Sequence, residues 1–141
     1  MIVYAESSAI LSWLLGEWHG EAVRETLAGA ELVLASELAL LECHRVLLRA
    51  THTGHLGEGI ATDLRATLSR AGQHWVTLAI DNDVLDRARR PFPAEPIRTL
   101  DAIHLASALV SRSAVPGVAL LTLDDRIRSN GVQLGFEVVP A

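Results

Sequence analysis

Short apolar runs alternate with longer stretches of helical periodicity along the whole chain. The first run covers residues 2–5, and apolar side chains then recur at helical spacing from Ala9 to Leu15. Further strands are predicted at residues 32–35, 75–80, 119–123 and 137–139. Further helices are predicted at residues 19–27, 37–49, 60–70, 82–90, 100–110 and 124–130. This alternation is typical of an α/β fold, in which a mostly parallel sheet of about five strands is covered by helices on both faces.

Glycine and proline residues mark the predicted ends of these elements. The glycine-rich stretch 51–59 is predicted to be a turn, and three prolines exclude regular structure from residues 91–96. Ser36 is expected to cap the helix that follows it, and Gly131 is expected to end the helix that begins at residue 124. No repeat or linker interrupts the pattern, so residues 1–141 are predicted to form a single domain.

The most apolar predicted helix, residues 100–110, begins with a carboxylate. Small or apolar side chains occupy most of its circumference, which is typical of a helix buried inside a domain. Thr99 can cap this helix through its hydroxyl, and Asp101 then lies in the first turn, where the helix dipole favours negative charge. Helix capping is enough to explain Asp101 alone. A role for Asp101 in catalysis or metal binding therefore depends on where the other acids of the chain lie.

Three other acids occupy positions where a carboxylate is unexpected or well placed for chemistry. Glu6 follows the first predicted strand and Asp124 follows the fourth, and ligands of open parallel sheets bind beyond the carboxyl ends of strands. Glu42 interrupts the apolar patch of its helix, and burial of a lone carboxylate is costly unless it is paired or bound to metal. Together with Asp101, these residues predict a cation site in one cleft.

Each acid also has a structural interpretation that the sequence leaves open. Glu42 can pair with Arg45 or Arg49 on its own helix. Asp124 can cap the short helix after it, and Glu6 can cap the first helix, although less well than Asp or Ser would.

The predicted ligand set contains oxygen donors and points to a hard cation. Carboxylates without a His or Cys cluster favour Mg²⁺ or Mn²⁺, which usually retain waters and bind a substrate phosphate. A pair of such ions can activate water and stabilise the leaving oxygen in phosphodiester hydrolysis. The residues alone therefore indicate a candidate metal-dependent phosphoesterase.

The histidines near these positions are assigned structural roles. His52 and His55 lie in the glycine-rich turn without a third ligand, so no zinc site is expected there. His104 lies one turn after Asp101 and is expected to be a packed residue with a local hydrogen bond. A proton-transfer role for His104 is the alternative if its ring faces the cleft.

Composition restricts the environment and the substrates of the chain. Half of the residues are hydrophobic, the net charge is −5, and all twelve basic residues are arginines. A phosphate-bearing substrate would therefore need metal ions and locally clustered arginines, and Arg98 and Arg126 are the candidate phosphate contacts, with internal ion pairs as the alternative. The single cysteine, Cys43, excludes an intrachain disulfide, and no segment reaches membrane-spanning length. We therefore expect a cytoplasmic protein with no membrane partner.

Four stretches of the chain resemble the signature blocks of PIN domains, in the same order and spacing. They are Val3–Leu11, Ser36–Glu42, Arg98–Ala106 and Leu121–Arg126, of which the third is the most specific. The nearest resemblance is to the VapC toxins of bacterial toxin–antitoxin pairs, and it covers essentially the whole chain. It implies a three-layer α/β/α fold and a Mg²⁺- or Mn²⁺-dependent endoribonuclease. It also implies a homodimer that is inhibited by a VapB-type antitoxin.

The resemblance also assigns roles to individual residues. The residues that hold metal or activate water are Glu6, Glu42, Asp101 and Asp124, and Ser8 and Thr122 support them through hydroxyl hydrogen bonds. The family usually has Asp where this chain has Glu6, which places the carboxylate one methylene further out. Two hypotheses follow: an active ribonuclease, or a catalytically weakened PIN scaffold that binds an antitoxin or RNA. A phospho-receiver domain also clusters carboxylates, but it needs a lysine, which this chain lacks.

Overall fold

The computed structural model describes residues 1–141 and contains five strands and seven helices. The strands are β1 (Ile2–Ala5), β2 (Leu32–Ser36), β3 (Val76–Leu78), β4 (Val118–Leu121) and β5 (Val138–Val139). The helices are α1 (Ser7–Leu14), α2 (Gly20–Gly29), α3 (Glu37–His52), α4 (Glu58–Gly72), α5 (Asn82–Ala88), α6 (Thr99–Ala114) and α7 (Asp125–Gln133). The strand and helix order predicted from the sequence is confirmed. None of the helices combines the length and hydropathy that crossing a membrane requires.

All five strands run parallel in one sheet of order β3-β2-β1-β4-β5. β1 lies at the centre, where Tyr4 pairs with Leu34 on one side and Leu120 on the other. From β1 the chain adds β2 and β3 on one side of the sheet, and it then adds β4 and β5 on the other side. The order of the strands therefore reverses at β1. In open α/β sheets, such a reversal creates a crevice at the carboxyl ends of the strands.

The helices cover both faces of this sheet. Helices α1–α4 share one apolar cluster with Val3 and Ala5, whereas α5–α7 share the other with Tyr4 and Leu120. Successive side chains of a strand point to opposite faces, so one short strand contributes to both clusters. The three-layer α/β/α architecture with a parallel sheet is therefore confirmed, and Cys43 is a fully buried core residue.

Several helix ends differ from the sequence-based predictions. Ser36 Oγ accepts the Ala39 N–H at 3.0 Å, so the predicted cap of α3 is confirmed. The prediction that Gly131 ends the last helix is wrong, because α7 continues to Gln133. A Cβ at Gly131 would lie 2.6 Å from Leu120 Cδ2, so this glycine permits close packing of α7 on β4.

The start of α6 also corrects the predicted capping arrangement. Arg98 is the N-cap residue, and Asp101 Oδ2 accepts its backbone N–H at 3.3 Å. Thr99 is the first residue of the helix and its hydroxyl makes no hydrogen bond, so the predicted Thr99 cap is wrong. The carboxylate of Asp101 satisfies the free amide instead, which orients this side chain at the start of a buried helix.

Asn130 fixes the proline-rich loop of residues 91–96 against α7. Its side chain is fully buried, accepts the Ala94 N–H at 2.8 Å and donates to Ala94 O at 3.3 Å. Asn130 Nδ2 also donates a hydrogen bond to Arg126 O at 3.0 Å. Buried amides with partners for most of their polar atoms restrict a segment to one conformation, so the loop enters α6 along a defined path.

Candidate active site

The four predicted acids lie around one cavity of about 560 Å³ at the carboxyl ends of β1 and β4. Glu6 follows β1 directly, Asp124 follows β4 through a short loop, and Glu42 and Asp101 project from α3 and α6. The structure therefore brings together residues that are separated by up to 118 positions, which is the difference between residues 6 and 124. The parallel-strand rule predicted this meeting point.

Hydroxyl groups hold Glu6 on both of its carboxylate oxygens. Oε1 accepts Ser7 Oγ at 2.7 Å, and Oε2 accepts Thr122 Oγ1 at 2.7 Å and Ser8 Oγ. Ser8 Oγ also accepts the Leu123 N–H at 2.9 Å, which ties α1 to the loop after β4. Glu6 is only 3 % exposed and occupies the N-cap position of α1, but its side chain caps no amide, so the predicted capping by its carboxylate is wrong.

His104 connects Glu42 to this group. Its Nε2 is hydrogen-bonded to Glu42 Oε1 and lies 3.7 Å from Glu6 Oε1. Ser7 Oγ lies 3.1 Å from Glu42 Oε1, so its single hydrogen is shared between Glu6 and Glu42, and Tyr4 Oη lies 3.5 Å from His104 Nδ1 on the buried side of the ring. Glu42 makes no ion pair with an arginine of its own helix, so the predicted structural alternative for Glu42 is wrong.

The close contact between His104 and Glu42 shifts the pKa of both side chains. Burial alone would lower the pKa of His104, but the hydrogen bond that its ring donates to Glu42 and the charges of Glu6, Glu42 and Asp101 raise it above the ordinary value. Burial alone would raise the pKa of Glu42, but the hydrogen bond and charge of His104, with the Ser7 hydroxyl, hold it below the ordinary value. Each group therefore stabilises the charged form of the other.

Asp101 and Asp124 also line the cavity, and one oxygen of each accepts backbone N–H donors. Asp101 Oδ2 accepts the Arg98 N–H, and the Arg98 Nε lies 3.6 Å from the same oxygen. Asp124 Oδ1 accepts the N–H groups of Arg126 and Ile127 at 2.9 and 3.0 Å, so Asp124 caps α7 as its structural interpretation predicted. Capping leaves the second oxygen of each carboxylate facing away from these amides.

The donor set of this cavity fits a divalent cation. Glu42 Oε2, Asp101 Oδ1 and Asp124 Oδ2 accept no hydrogen bond from the protein. The cavity is lined by four carboxylates and only one guanidinium group, that of Arg98. Carboxylate oxygens without protein donors in a predominantly acidic cleft are the ligands that Mg²⁺ and Mn²⁺ prefer.

The tightest group of potential ligand atoms includes His104, which was predicted to be a packed residue and not a metal ligand. Atoms of Glu6, Glu42 and His104 all lie within 4.8 Å of one another. The expected local hydrogen bond of His104 is wrong, because its partner Glu42 is 62 residues away. Its position one turn after Asp101 was the available signal, since residues three apart share a helix face.

The two arginines that were predicted to contact phosphate differ in their surroundings. The Arg98 side chain is 72 % exposed and forms a long ion pair with Asp101. The predicted alternative, an internal ion pair, is therefore present for Arg98, but the pair is weak. Arg126 is exposed and its guanidinium makes no hydrogen bond or ion pair within the chain. Both guanidinium groups therefore remain accessible to a phosphate.

Comparisons with known proteins agree with this architecture. The family model described as PIN domain matches residues 3–132. Ribonuclease VapC46 of Mycobacterium tuberculosis is 37 % identical over 137 residues, which cover 97 % of this chain and 95 % of that protein. The crystal structure of M. tuberculosis VapC20, a Sarcin-Ricin loop cleaving toxin, superimposes with a TM-score of 0.67 at 17 % identity and covers 99 % of this chain and 100 % of VapC20. A toxin-antitoxin complex from Klebsiella pneumoniae gives a TM-score of 0.64 at 16 % identity and covers 98 % and 96 %. The chain belongs to the PIN domain family.

Proposed function

We propose that this chain is a metal-dependent endoribonuclease and the toxin of a type II toxin–antitoxin pair. The observation that carries the proposal is the cavity at the strand ends, where Glu6, Glu42, Asp101 and Asp124 converge and three of these carboxylates keep an oxygen free of protein donors. Membership of the PIN domain family and a relative named as a ribonuclease support RNA as the substrate.

The chain's own residues would prepare this cavity for phosphodiester hydrolysis. Glu42, Asp101 and Asp124 would hold Mg²⁺ or Mn²⁺ with their free oxygens, and Glu6 would add negative charge from its fixed position. When bound, the ion supplies an activated water and neutralises charge on the phosphate. Ser7, Ser8 and Thr122 orient Glu6, and His104 orients Glu42, so their carboxylates need little rearrangement during the reaction.

The hydrogen bonds of Glu6 favour the active enzyme over the weakened scaffold. Its longer side chain reaches two hydroxyls at 2.7 Å and a third on Ser8. A carboxylate with three donors is held in one geometry, as a metal site requires. The three hydroxyl groups around position 6 therefore match the length of a glutamate side chain.

Neutralisation by a VapB-type antitoxin and assembly as a homodimer belong to the same proposal. The Klebsiella pneumoniae neighbour is a toxin–antitoxin complex, which supports an antitoxin as the partner of this fold. Addition of a cognate VapB-type antitoxin is expected to stop RNA cleavage, and light scattering measures the mass of the free and bound forms. Continued cleavage with the antitoxin bound would contradict neutralisation.

RNA cleavage by purified protein tests the proposed activity. The native chain is expected to cut RNA with Mg²⁺ or Mn²⁺, and EDTA is expected to stop the reaction. Asp101→Asn keeps the size of the side chain but removes its charge, and should reduce the rate at least about a hundredfold. Asp125→Asn is the matched control, because Asp125 is exposed and lies outside the cavity. Cleavage that survives Asp101→Asn would contradict the proposed site.

A further inference from the structure

A second cavity of about 390 Å³ adjoins the acidic cavity, between the end of α5 and the start of α6. We call it the arginine cavity, and its lining combines half-buried apolar side chains with exposed arginines: Leu85, Ile97, Ile103, Arg89, Arg90 and Arg98. Arg98 and Thr99 line both cavities. The two cavities are therefore neighbours at the N-terminus of α6.

The arginine cavity has the opposite charge to its neighbour. Three guanidinium groups line it against one carboxylate, that of Glu95, and both oxygens of Glu95 accept backbone N–H groups of Phe92 and Ile97. Arg90 makes no side-chain hydrogen bond or ion pair within the chain, whereas Arg89 pairs with Asp86. A chain of net charge −5 thus places a free guanidinium group directly beside its acidic cavity.

The wall of the arginine cavity is fixed by contacts within the chain. Arg87 donates to Arg90 O and to Pro91 O at 3.3 Å, and its guanidinium stacks on Phe92 at 4.2 Å. Asn130 holds the other end of the proline-rich loop. A preformed wall reduces the entropy that a ligand must lose on binding, so the cavity can select a ligand of matching shape.

We propose that the arginine cavity binds one nucleotide of single-stranded RNA next to the scissile phosphate, an inference that rests on the proposed ribonuclease function. The base packs against Ile97 and Ile103, and the adjoining phosphate contacts Arg90 and Arg98. Bases taken out of the stack pack between aromatic or apolar side chains and on guanidinium planes, and the arginine fork matches the oxygens of a phosphate. Because Arg98 and Thr99 line both cavities, one strand that passes over them would place adjoining nucleotides at this subsite and at the acidic cavity.

Binding of a short fluorescent single-stranded RNA in EDTA tests the phosphate contact without catalysis. Arg90→Gln is expected to weaken binding about threefold to tenfold and to reduce the slope of log affinity against log salt by about 0.7. Arg70→Gln is the matched control, because Arg70 is an exposed arginine without an ion pair on α4, which covers the opposite face of the sheet. Equal binding by the two variants would overturn the subsite.

Methyl NMR of the native chain tests the base contact. The short RNA is expected to shift the methyl signals of Ile97 and Ile103, whereas the exposed Ile60 on α4 should not respond. The same RNA backbone without bases should shift the two signals much less. Equal shifts with and without bases would overturn packing of a base in this cavity.

Cleavage assays on the same proteins separate this proposal from the proposed function. RNA cleavage by the native chain, combined with equal binding by Arg90→Gln and Arg70→Gln, would overturn the subsite and leave the ribonuclease intact. Arg90-dependent binding without any metal-dependent cleavage would overturn the ribonuclease, and the arginine cavity would then be an RNA-binding site without a scissile phosphate beside it. Absence of RNA binding by the native chain in EDTA would overturn the subsite, and cleavage would then be judged separately.

Discussion

Shortening Glu6 to Asp tests whether the longer carboxylate is a working part of this site. Ser7 Oγ and Thr122 Oγ1 each lie 2.7 Å from a Glu6 oxygen, and Ser8 Oγ is the third donor. Glu6→Asp removes one methylene and withdraws both oxygens from these hydroxyls by about 1.5 Å, the length of one carbon–carbon bond. The two distances then become about 4 Å, which is beyond hydrogen-bonding range.

The expected loss of stability follows from the number of hydrogen bonds that cannot re-form. A hydrogen bond to a charged group contributes about 1.5–3 kcal/mol, and Glu6 is only 3 % exposed, so water replaces the lost donors poorly. Small backbone shifts recover part of this network, because α1 begins directly after Glu6. We therefore expect a loss of about 3 kcal/mol, which lowers the Tm of a chain of this size by about 10 °C.

Thermal unfolding and RNA cleavage of the same preparations provide the assay. Glu58→Asp is the matched control, since it removes the same methylene from an exposed residue without a side-chain partner, and should change stability by less than about 0.5 kcal/mol. Glu6→Asp should also cleave more slowly than the native chain, because its carboxylate is no longer held in place. A variant that is as stable as the native chain and cleaves faster would refute this reasoning and favour the weakened-scaffold hypothesis.

Four further predictions follow from the buried groups and the cavity. His104→Leu removes the partner of Glu42, so the pKa of Glu42 should rise in a carboxyl NMR titration and stability should fall by about 2 kcal/mol; an unchanged pKa would contradict their coupling. Burial raises the pKa of Cys43 to about 12, so native protein at pH 8 should not react with a thiol reagent until it is unfolded, and rapid labelling would argue against burial. Asn130→Ala should lower stability by about 2–3 kcal/mol and increase hydrogen exchange at Ala94, whereas unaltered exchange would show that other contacts hold the loop. Mn²⁺ at about a hundred times its Kd should stabilise the native chain by about 2.7 kcal/mol, EDTA should reverse this, and an unchanged Tm would contradict metal binding.

Most of the fold could be predicted from local patterns because each element carries its own signal. Apolar runs and helical periodicity identified the five strands and seven helices, and the parallel-sheet rule placed Glu6 and Asp124 at one edge. Helix ends were less accurate, because tertiary packing decides them. Helix α7 continues past Gly131 to Gln133. The missing Cβ of Gly131 lets the helix pack closely against Leu120, and no local sequence pattern reveals that contact.

The hydrogen bond between His104 and Glu42 could not be predicted from the sequence for a related reason. Helical spacing places its ring on the same face as Asp101, but its hydrogen bond with Glu42 depends on how α3 and α6 approach each other. The arginine cavity likewise depends on the path of the proline-rich loop, which Asn130 fixes from another helix. Contacts between distant elements therefore decide which polar groups surround the predicted acids.

The charge distribution explains how an acidic chain can both bind and cleave a polyanion. Four carboxylates repel phosphate at the acidic cavity, and a bound cation is needed to reverse that repulsion. The neighbouring guanidinium groups of Arg90 and Arg98 attract phosphate without a metal ion. Binding and cleavage therefore depend on different charges, so EDTA should abolish cleavage while leaving the arginine-dependent binding, with its salt dependence, in place.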